Sequence, residues 1–524
     1  MKKFLIFIII VIFSTTFFYL IKNNIKNHDS LNKIIINSGD YYFPNGITVK
    51  TGEVLIIKPG ARLKMGENTR IIIDGRIIAK GLEEQKIVFE ASEDYWRGIK
   101  IDGTEDVPSS DDFWDWLTKG DKKKNEEFFK EIKKGNILKN CIFKNVSTES
   151  REFAIGNKWK STVEAYNTSL EVSKSTFEDI LHIGGVLTQR SYVVINENNF
   201  TAEDMHKDIN CTDNSVVVVQ GNKLIQNREK NQRCADGIWI NNSTALVSNN
   251  FLSGIGDDGI DTDNSKIVIL NNEVNAVLDD GIDVDKGGEA FIIGNTVRSS
   301  KENGILISEQ SKAILVDNSI SGSESGIALR DGSGVAGSDL KINNNKKGIF
   351  IFRSFPCSLT KNNFLKIKNE ILKMTDNEVE ALKINGILSA SDMIIILEGS
   401  YKQGGENYYF IKEDFQKRVQ EIFKVMGFSN SEMDFREVEK SGFCYELKNS
   451  LYLTSSSFKE NEKELSVFDN YQLKMEDIIF DRKEKRSEME KMFTDNFSCE
   501  LVDSLNIASV ISSSKIIIKE IEKL

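Results

Sequence analysis

The sequence has little proline, histidine and cysteine for its 524 residues. Four prolines exclude a proline-rich stalk, and six cysteines have neither the spacing of zinc ligands nor the density of a disulfide scaffold. A net charge of −11 disfavours broad attraction to a polyanion, so we expect no nucleic-acid partner. No phosphate-binding loop or Ser-His-Asp order stands out. What remains is an ordinary globular composition, with 40% hydrophobic residues, which can bury a large core.

The N-terminus carries the pattern of an export signal or a membrane anchor. Lys2 and Lys3 precede an apolar stretch, residues 4–21, which is long enough for either. Bulky aromatic residues follow the only small-residue cleavage site, which favours an uncleaved anchor. We therefore expect residues 1–30 to form a signal or a single N-terminal transmembrane helix. The rest of the chain is then expected to be exported to the cell envelope or cell surface.

A repeat of about 22 residues is the strongest pattern in the chain. Gly-Ile pairs recur at spacings of 22, 22, 23, 22 and 22 residues: Gly237-Ile238, Gly259-Ile260, Gly281-Ile282, Gly304-Ile305, Gly326-Ile327 and Gly348-Ile349. A second series runs in register with it: Asn250, Asn272, Asn295 and Asn318. Each unit resembles short strands separated by Asn, Ser and Gly turns, without an amphipathic helix.

One such unit is too small to bury its apolar face alone, so the units are expected to stack. Equivalent strands of successive coils would pair in parallel at ~4.8 Å, with their apolar side chains in a continuous inner column. The repeated asparagines would then hydrogen-bond along the stack, which is a structural role.

These repeats resemble the right-handed parallel β-helix repeat proteins of the pectate-lyase-like superfamily. Residues 52–60 and 71–75, followed by Trp96-Arg97-Gly98-Ile99, are similar to the first coils of such helices. The resemblance implies an all-β fold, a right-handed parallel β-helix solenoid over residues 31–400, with helical insertions and a C-terminal α/β extension. It specifies a fold much more than an activity.

Two segments interrupt the rhythm of the coils. Residues 111–134 combine aromatic and charged residues and are expected to form a helical insertion packed outside the solenoid. Residues 413–426 carry apolar positions at helical spacing and end at a glycine, which predicts a helix that caps the solenoid. Within residues 401–524, residues 447–524 return to strand-like patterns, including residues 514–518, and form either further coils or a small separate module.

The residues that could carry chemistry are eight aspartates in two neighbouring units: Asp257, Asp258, Asp261, Asp263, Asp279, Asp280, Asp283 and Asp285. Strand alternation directs Asp261, Asp263, Asp283 and Asp285 outward, with vertical neighbours ~4.8 Å apart. Like charges at that distance repel by about 3.5 kcal/mol at an effective dielectric near 20. The lattice is therefore expected to bind a cation, and Ca²⁺ suits its hard oxygen ligands. An acidic surface screened by solvent and a catalytic carboxylate pair remain open alternatives.

The superfamily offers two kinds of catalysis, glycoside hydrolysis and uronate lysis. The acidic motifs resemble parts of the polygalacturonase pattern, but no histidine follows them, which lowers the hydrolase interpretation. The resemblance to uronate lyases implies Ca²⁺ together with an Arg or Lys that abstracts a proton. Our candidates for catalysis are Asp261, Asp283 and Arg330, with Arg330 acting as base or as an anchor for a sugar carboxylate. Lys286, Trp239 and Phe350 are the candidate substrate-binding residues, the two aromatic rings by stacking on sugars.

The sequence thus leaves two functions open. In the first, the chain binds, and as a polysaccharide lyase or glycoside hydrolase would cleave, an extended acidic polysaccharide or cell-envelope glycan. In the second, it is a non-catalytic surface scaffold or adhesin, as the missing histidine and incomplete catalytic signatures suggest.

Overall fold

The structure is a computed structural model that describes six long stretches of the chain, residues 32–104, 110–120, 122–147, 161–202, 207–226 and 236–351. It also describes pieces between residues 359 and 411, pieces between 450 and 479, and residues 507–521.

Three long parallel sheets, which we call A, B and C, run along this part of the chain with 14, 13 and 13 strands. Each coil contributes one strand to A, then to B, then to C, and each strand pairs with its equivalent in the next coil. The predicted all-β parallel solenoid is therefore confirmed.

The strands of sheet A are Asn32–Ile36, Glu53–Ile57, Arg76–Lys80, Asn136–Lys139, Ser169–Ser173, Tyr192–Asn196, Val216–Gln220, Thr244–Ser248, Lys266–Leu270, Glu289–Ile293, Lys312–Val316, Gly334–Ser338, Ser450–Thr454 and Ile478–Ile479. Those of sheet B are Gly39–Phe43, Ala61–Met65, Ile87–Ala91, Cys141–Ser147, Thr176–Leu181, Asn199–Ala202, Lys223–Gln226, Phe251–Ser253, Glu273–Asn275, Thr296–Arg298, Ser319–Ser321, Lys341–Asn343 and Ser457–Lys459. Those of sheet C are Ile47–Val49, Ile71–Ile73, Ile99–Asp102, Ser161–Tyr166, Gly184–Gln189, Ile209–Thr212, Ile238–Asn241, Ile260–Asp263, Ile282–Asp285, Asn303–Ile307, Ser325–Leu329, Lys347–Ile351 and Lys463–Val467.

The isoleucines of the Gly-Ile pairs start or lie within the strands of sheet C and face the core. Ile238, Ile260 and Ile282 pair in register across three coils, and all three are fully buried. The side chains between them alternate outward, so the same repeat that builds the core also builds the outer face of sheet C. That face carries the acidic motifs.

The asparagine series forms a hydrogen-bonded ladder between sheets A and B. The side-chain carbonyl of Asn272 accepts bonds of 2.9 Å from the backbone N–H and the side-chain amide of Asn250. Its own amide donates to the backbone carbonyl of Val247 at 3.0 Å. The ladder extends from Asn198 to Asn318, so the predicted structural role is confirmed.

Helices cover the outer face of sheet A. The first two are α1 (Ser110–Lys119) and α2 (Lys122–Lys134), which confirms the helical insertion. Trp114 of α1 packs on Phe291 of sheet A with ring centroids 5.8 Å apart. Because this face is apolar and covered, strands of sheet A such as Val216–Gln220 are buried on both sides.

A helix near the C-terminus, Ile507–Ile521, packs on the same apolar cluster. The strand-like interpretation of residues 514–518 is therefore wrong. Three consecutive isoleucines suit a strand, but Ile517 and Ile521, four positions apart, are the buried face of a helix.

The regular run of coils is interrupted after Ile351 and resumes at Ser450. Strand Ser450–Thr454 pairs with Gly334–Ser338, and the two strands that follow it extend sheets B and C, so these residues add a further coil. In the sequence between Ile351 and Ser450, the structure describes a helix, α3 (Ala390–Ser400), and a small antiparallel sheet. The strands of that sheet are Leu359–Thr360, Tyr401–Gly404 and Tyr408–Ile411. We number the helix Ile507–Ile521 α4. The predicted helix 413–426 lies outside the described residues.

Among the described residues, no helix has the length and apolar character needed to span a bilayer. Residues 1–31 lie outside them, so the N-terminal anchor stays a prediction.

Candidate functional site

Four of the predicted acidic residues lie in two neighbouring strands of sheet C. Strand Ile260–Asp263 pairs with Ile282–Asp285, which places Asp261 beside Asp283 and Asp263 beside Asp285. This is the register expected from the repeat. The two pairs nevertheless have different surroundings, because the first is half-buried and the second is buried.

A second acidic column lies where the chain enters sheet C, at the residue before each of the first three Gly-Ile pairs. The N–H of Gly237 donates to the carbonyl of Asp258, and the N–H of Gly259 donates to that of Asp280, each at 2.9 Å. The column therefore holds Asp236, Asp258 and Asp280 in three successive coils.

Asp258 lies at the centre of the carboxylates. Three groups of carboxylates have oxygens within 4.8 Å of one another among the described residues, and Asp258 belongs to all three: Asp236, Asp257 and Asp258; Asp258, Asp261 and Asp283; Asp258, Asp279 and Asp280. We call these seven residues the acidic cluster. The sequence analysis did not include five of them among the metal candidates, Asp236, Asp257, Asp258, Asp279 and Asp280, although aspartates before the first three Gly-Ile pairs carried the signal.

Burial and mutual repulsion raise the pKa values of carboxylates in the acidic cluster. Burial, and then the neighbouring charge of Asp283, raise the pKa of Asp258 well above its usual range. Burial and the charge of Asp236 do the same for Asp261. In the adjoining turn, burial and the charge of Asp280 raise the pKa of Asp279 to about 8. The cluster must therefore keep protons or accept a cation.

The second pair, Asp263 and Asp285, forms a separate structure. Asn241 donates to Asp263 at 2.9 Å, and the ammonium of Lys286 forms an ion pair with Asp263 and lies 3.7 Å from Asp285. Burial acts to raise the pKa of Asp263, but hydrogen bonds from Asp285 and Lys286 outweigh it and lower that pKa. Burial first, and then the interaction with Asp263 and the charge of Asp283, raise the pKa of Asp285 well above its usual range. Neither belongs to the three carboxylate groups, although both were predicted as metal ligands, and that role stays a prediction.

Arg330 follows strand Ser325–Leu329 of sheet C, two coils further along than Asp283. Its Nε atom lies 3.6 Å from a carboxylate oxygen of Asp331. Burial acts to lower the pKa of Arg330, but the charges of Asp283 and Asp331 outweigh it and raise the pKa further. A guanidinium with a raised pKa stays charged. The role of Arg330, as base or as an anchor for a sugar carboxylate, stays a prediction.

Trp239 and Phe350, which were predicted to stack on sugars, lie in the same column of sheet C as Asp261, as the repeat implied. A lysine ammonium lies over the ring of each. Lys207 lies 3.7 Å from the ring centre of Trp239 and forms an ion pair with Asp236. Phe350 is only 8% exposed, with Lys347 4.0 Å from its ring centre. Stacking of sugars stays a prediction for both, and little of Phe350 is open to a ligand.

Residues 236–401 match the sequence model of the family described as right handed beta helix region. Together with the three parallel sheets, this match shows that the described coils form a right-handed β-helix. The matched segment contains the acidic cluster and the last six Gly-Ile coils.

A comparison of this β-helix protein with curated proteins gives no match. Among solved structures it is similar to the periplasmic alginate epimerase AlgG, with 10% identity, a TM-score of 0.40, and 86% of this chain and 82% of that chain covered. It is also similar to the A-module of the mannuronan C-5 epimerase AlgE6 of Azotobacter vinelandii, with 11% identity, a TM-score of 0.34, and coverages of 57% and 71%. An alginate lyase from Paenibacillus sp. str. FPU-7 matches with 10% identity, a TM-score of 0.21, and coverages of 57% and 97%.

The acidic cluster of this β-helix protein fits a divalent cation by its donors. All of its side-chain donors are carboxylate oxygens, which hard cations such as Ca²⁺ prefer. The group of Asp258, Asp261 and Asp283 is half-buried, so a bound ion could still reach an outside ligand. Arg330 adds a positive charge that interacts electrostatically with Asp283 and Asp280.

Proposed function

We propose that this protein binds an extended acidic polysaccharide through a divalent cation, with Ca²⁺ the expected ion. The observation that carries the proposal is the group of Asp258, Asp261 and Asp283, whose oxygens lie within 4.8 Å of one another on the outer face of sheet C. Three carboxylates at that distance leave a negative charge that a cation bridging to a sugar carboxylate would balance.

Arg330 supports the acidic nature of the ligand. Its guanidinium stays charged and interacts electrostatically with Asp283, so it offers a second cationic anchor for a carboxylate. A neutral sugar has no carboxylate to bind either the ion or the guanidinium. In this arrangement the cation and Arg330 hold one uronate unit between them.

The apolar segment of residues 4–21 behind Lys2 and Lys3 supports the compartment that we propose. Export to the cell envelope would bring the acidic cluster to millimolar Ca²⁺ and to envelope glycans, and an uncleaved segment would anchor the protein there.

Calcium titration by calorimetry and binding of polyuronates with and without a chelator test the proposal. We expect Ca²⁺ to bind, and polyuronate binding to be lost in the chelator and in Asp261→Asn and Asp283→Asn. The exposed Asp213→Asn is the matched control. Polymer binding that is indifferent to the chelator would contradict the proposal.

The same samples separate the two functions that the sequence left open. Unsaturated products or new reducing ends would make the protein a lyase or hydrolase. Calcium-dependent binding without turnover would make it a non-catalytic glycan-binding scaffold or adhesin.

A further inference from the structure

The solenoid has an open end at its first coil, residues 32–51. The first strands of the three sheets are Asn32–Ile36, Gly39–Phe43 and Ile47–Val49, and each of them pairs with the second coil only. Within the described part of the chain, the other edge of each strand has no strand beside it. Open edges of this kind attract a partner unless charges or a cover protect them.

The inward side chains of the first coil are exposed at this end. Ile34 pairs with Leu55 of the second coil, and it is 37% exposed whereas Leu55 is fully buried. Tyr41, Phe43 and Ile47 pack against the same core but are only partly buried. Each coil normally covers the apolar side chains of the coil before it, and the first coil has no such neighbour among the described residues. The end of the core is therefore an apolar surface.

Two outward side chains of the first coil enlarge this surface. Ile35 of sheet A is 51% exposed, and Tyr42 of sheet B is 60% exposed. In the next two coils the position of Tyr42 is occupied by Lys64 and Glu90, so the column is charged except in its terminal coil. A terminal repeat that only keeps a solenoid in solution has a polar outer face, and this coil has the opposite pattern. We call the following residues the end patch: Ile34, Ile35, Tyr41, Tyr42, Phe43 and Ile47.

The chain that precedes the end patch indicates what covers it. Residues 4–21 are the apolar segment that we propose as a membrane anchor, and residues 22–31 connect it to the first strand. Ten extended residues reach at most ~35 Å, so an anchored segment keeps the end patch within that distance of a bilayer. Residues 22–51 carry four lysines and two aspartates, a positive balance in a chain of net charge −11. Anionic headgroups attract this end and repel the acidic remainder.

We propose that the end patch lies in the headgroup region of a bilayer, with the axis of the solenoid upright on the membrane. The inference rests on the anchor included in the proposed function. Ile35 and Tyr42 suit this depth, because apolar side chains enter the acyl boundary and tyrosines favour the headgroup level. The open strand edges can bond water and headgroups there, but not in the hydrocarbon. Asp261 lies seven coils along sheet C, so the acidic cluster would stand ~34 Å above the end patch.

The experiment uses the full chain in vesicles of phosphatidylcholine and phosphatidylglycerol, with and without phosphatidylcholine brominated near the top of its acyl chains. Bromine quenches an indole that approaches it, so Tyr42→Trp reports contact of the end patch with lipid. The matched control is Leu181→Trp, which is also exposed on sheet B but lies four coils, ~19 Å, further along. We expect brominated lipid to remove about half or more of the fluorescence that Tyr42→Trp adds, and little of that which Leu181→Trp adds.

A further substitution separates an end that binds lipid from one that the anchor only keeps nearby. Ile35→Glu, added to Tyr42→Trp, places a charge in the end patch and should reduce the quenching by about threefold or more. Leu82→Glu, at an apolar position that is 56% exposed in the third coil, is its control and should leave the quenching unchanged. Quenching that ignores Ile35→Glu would overturn the proposal.

Equal quenching of Tyr42→Trp and Leu181→Trp, or none in either, would also overturn the proposal. So would end-to-end dimers that shield the indole from lipid, because a second copy would then cover the end patch. Calcium and polyuronate binding by the same vesicles tests the proposed function separately. Intact binding without quenching would overturn this inference alone, and protein that leaves the vesicles would overturn the anchor together with it.

Discussion

The side chain of Asp258 accepts a 2.8 Å hydrogen bond from the backbone N–H of Asp280, one coil further along. That bond holds the Asp258 carboxylate at the junction of two coils, where it contributes to all three carboxylate groups of the acidic cluster. A side chain fixed by the stacking of the backbone needs little reorganisation to bind an ion.

Asp258→Asn should therefore weaken Ca²⁺ binding by roughly tenfold or more, since it removes one carboxylate from every group. Asp285→Asn should change it little, because burial raises the pKa of Asp285 and it belongs to none of the groups. Calorimetric titration of both variants at one pH makes the comparison. The opposite ranking would show that the ion binds at the second pair of aspartates.

Calcium affinity should rise with pH. Burial first, and then neighbouring charges, raise the pKa of Asp257 to about 6 and that of Asp279 to about 8, so both hold protons below these values. Protons and the cation compete for the same oxygens, and each carboxyl that ionises strengthens binding. Titrations in buffers of different ionisation enthalpy, between about pH 5 and pH 9, should show release of protons on binding. An affinity that is flat across this range would contradict the assignment.

The free energy of unfolding should fall as pH rises, because Asp208 is buried as a protonated carboxyl. It is 1% exposed, and burial raises the pKa of its carboxyl to about 8, from about 3.9 in an unfolded chain. Between these values the folded state holds a proton that the unfolded state has lost, so the free energy of unfolding falls by about 1.4 kcal/mol per pH unit. Below about pH 4 both states are protonated, and the effect vanishes.

Asp208→Asn should accordingly stabilise the protein near pH 8 and leave it unchanged near pH 4, as measured by denaturant unfolding. The control is Asp213→Asn, an exposed carboxyl five positions along the same chain segment. A stabilisation that is the same at both pH values would mean that Asp208 does not titrate as its burial implies.

Asn272→Ala should destabilise the solenoid by about 2 to 4 kcal/mol. The substitution leaves the N–H of Asn250 and the carbonyl of Val247 without their partners in a buried ladder. Asn275→Ala removes the same amide from a half-buried strand position of the same coil and should cost less than about 1 kcal/mol. Thermal or denaturant unfolding of the pair makes the test, and equal losses would argue against the ladder as a source of stability.

The repeat alone predicted the stacked coils, the asparagine ladder and the pairing of Asp261 with Asp283, because a parallel register follows directly from a constant period. It did not predict the central place of Asp258. Strand alternation gives the direction of a side chain within a strand, but Asp258 lies in a turn, where the backbone torsions set the direction. Nor did it predict the burial of Asp263 beneath Lys286, since alternation says which way a side chain points and not what covers it.

The coil at Ser450 was harder to foresee because it breaks the period. Its strands continue the three sheets, yet residues 352–449 separate it from its neighbour. A search for regular spacing finds only coils that follow one another directly.

That separation has a consequence for synthesis on the ribosome. When Ile351 has emerged, the coil of Gly334 offers three strands whose partners lie roughly a hundred residues later, which at translation speed means roughly 5 to 20 s. During that interval the nascent protein exposes open backbone edges of the kind that recruit foreign strands. The late coil at Ser450 therefore prolongs the time during which the nascent chain can aggregate. A chaperone that shields the open end of the solenoid during that time would improve the yield of native protein.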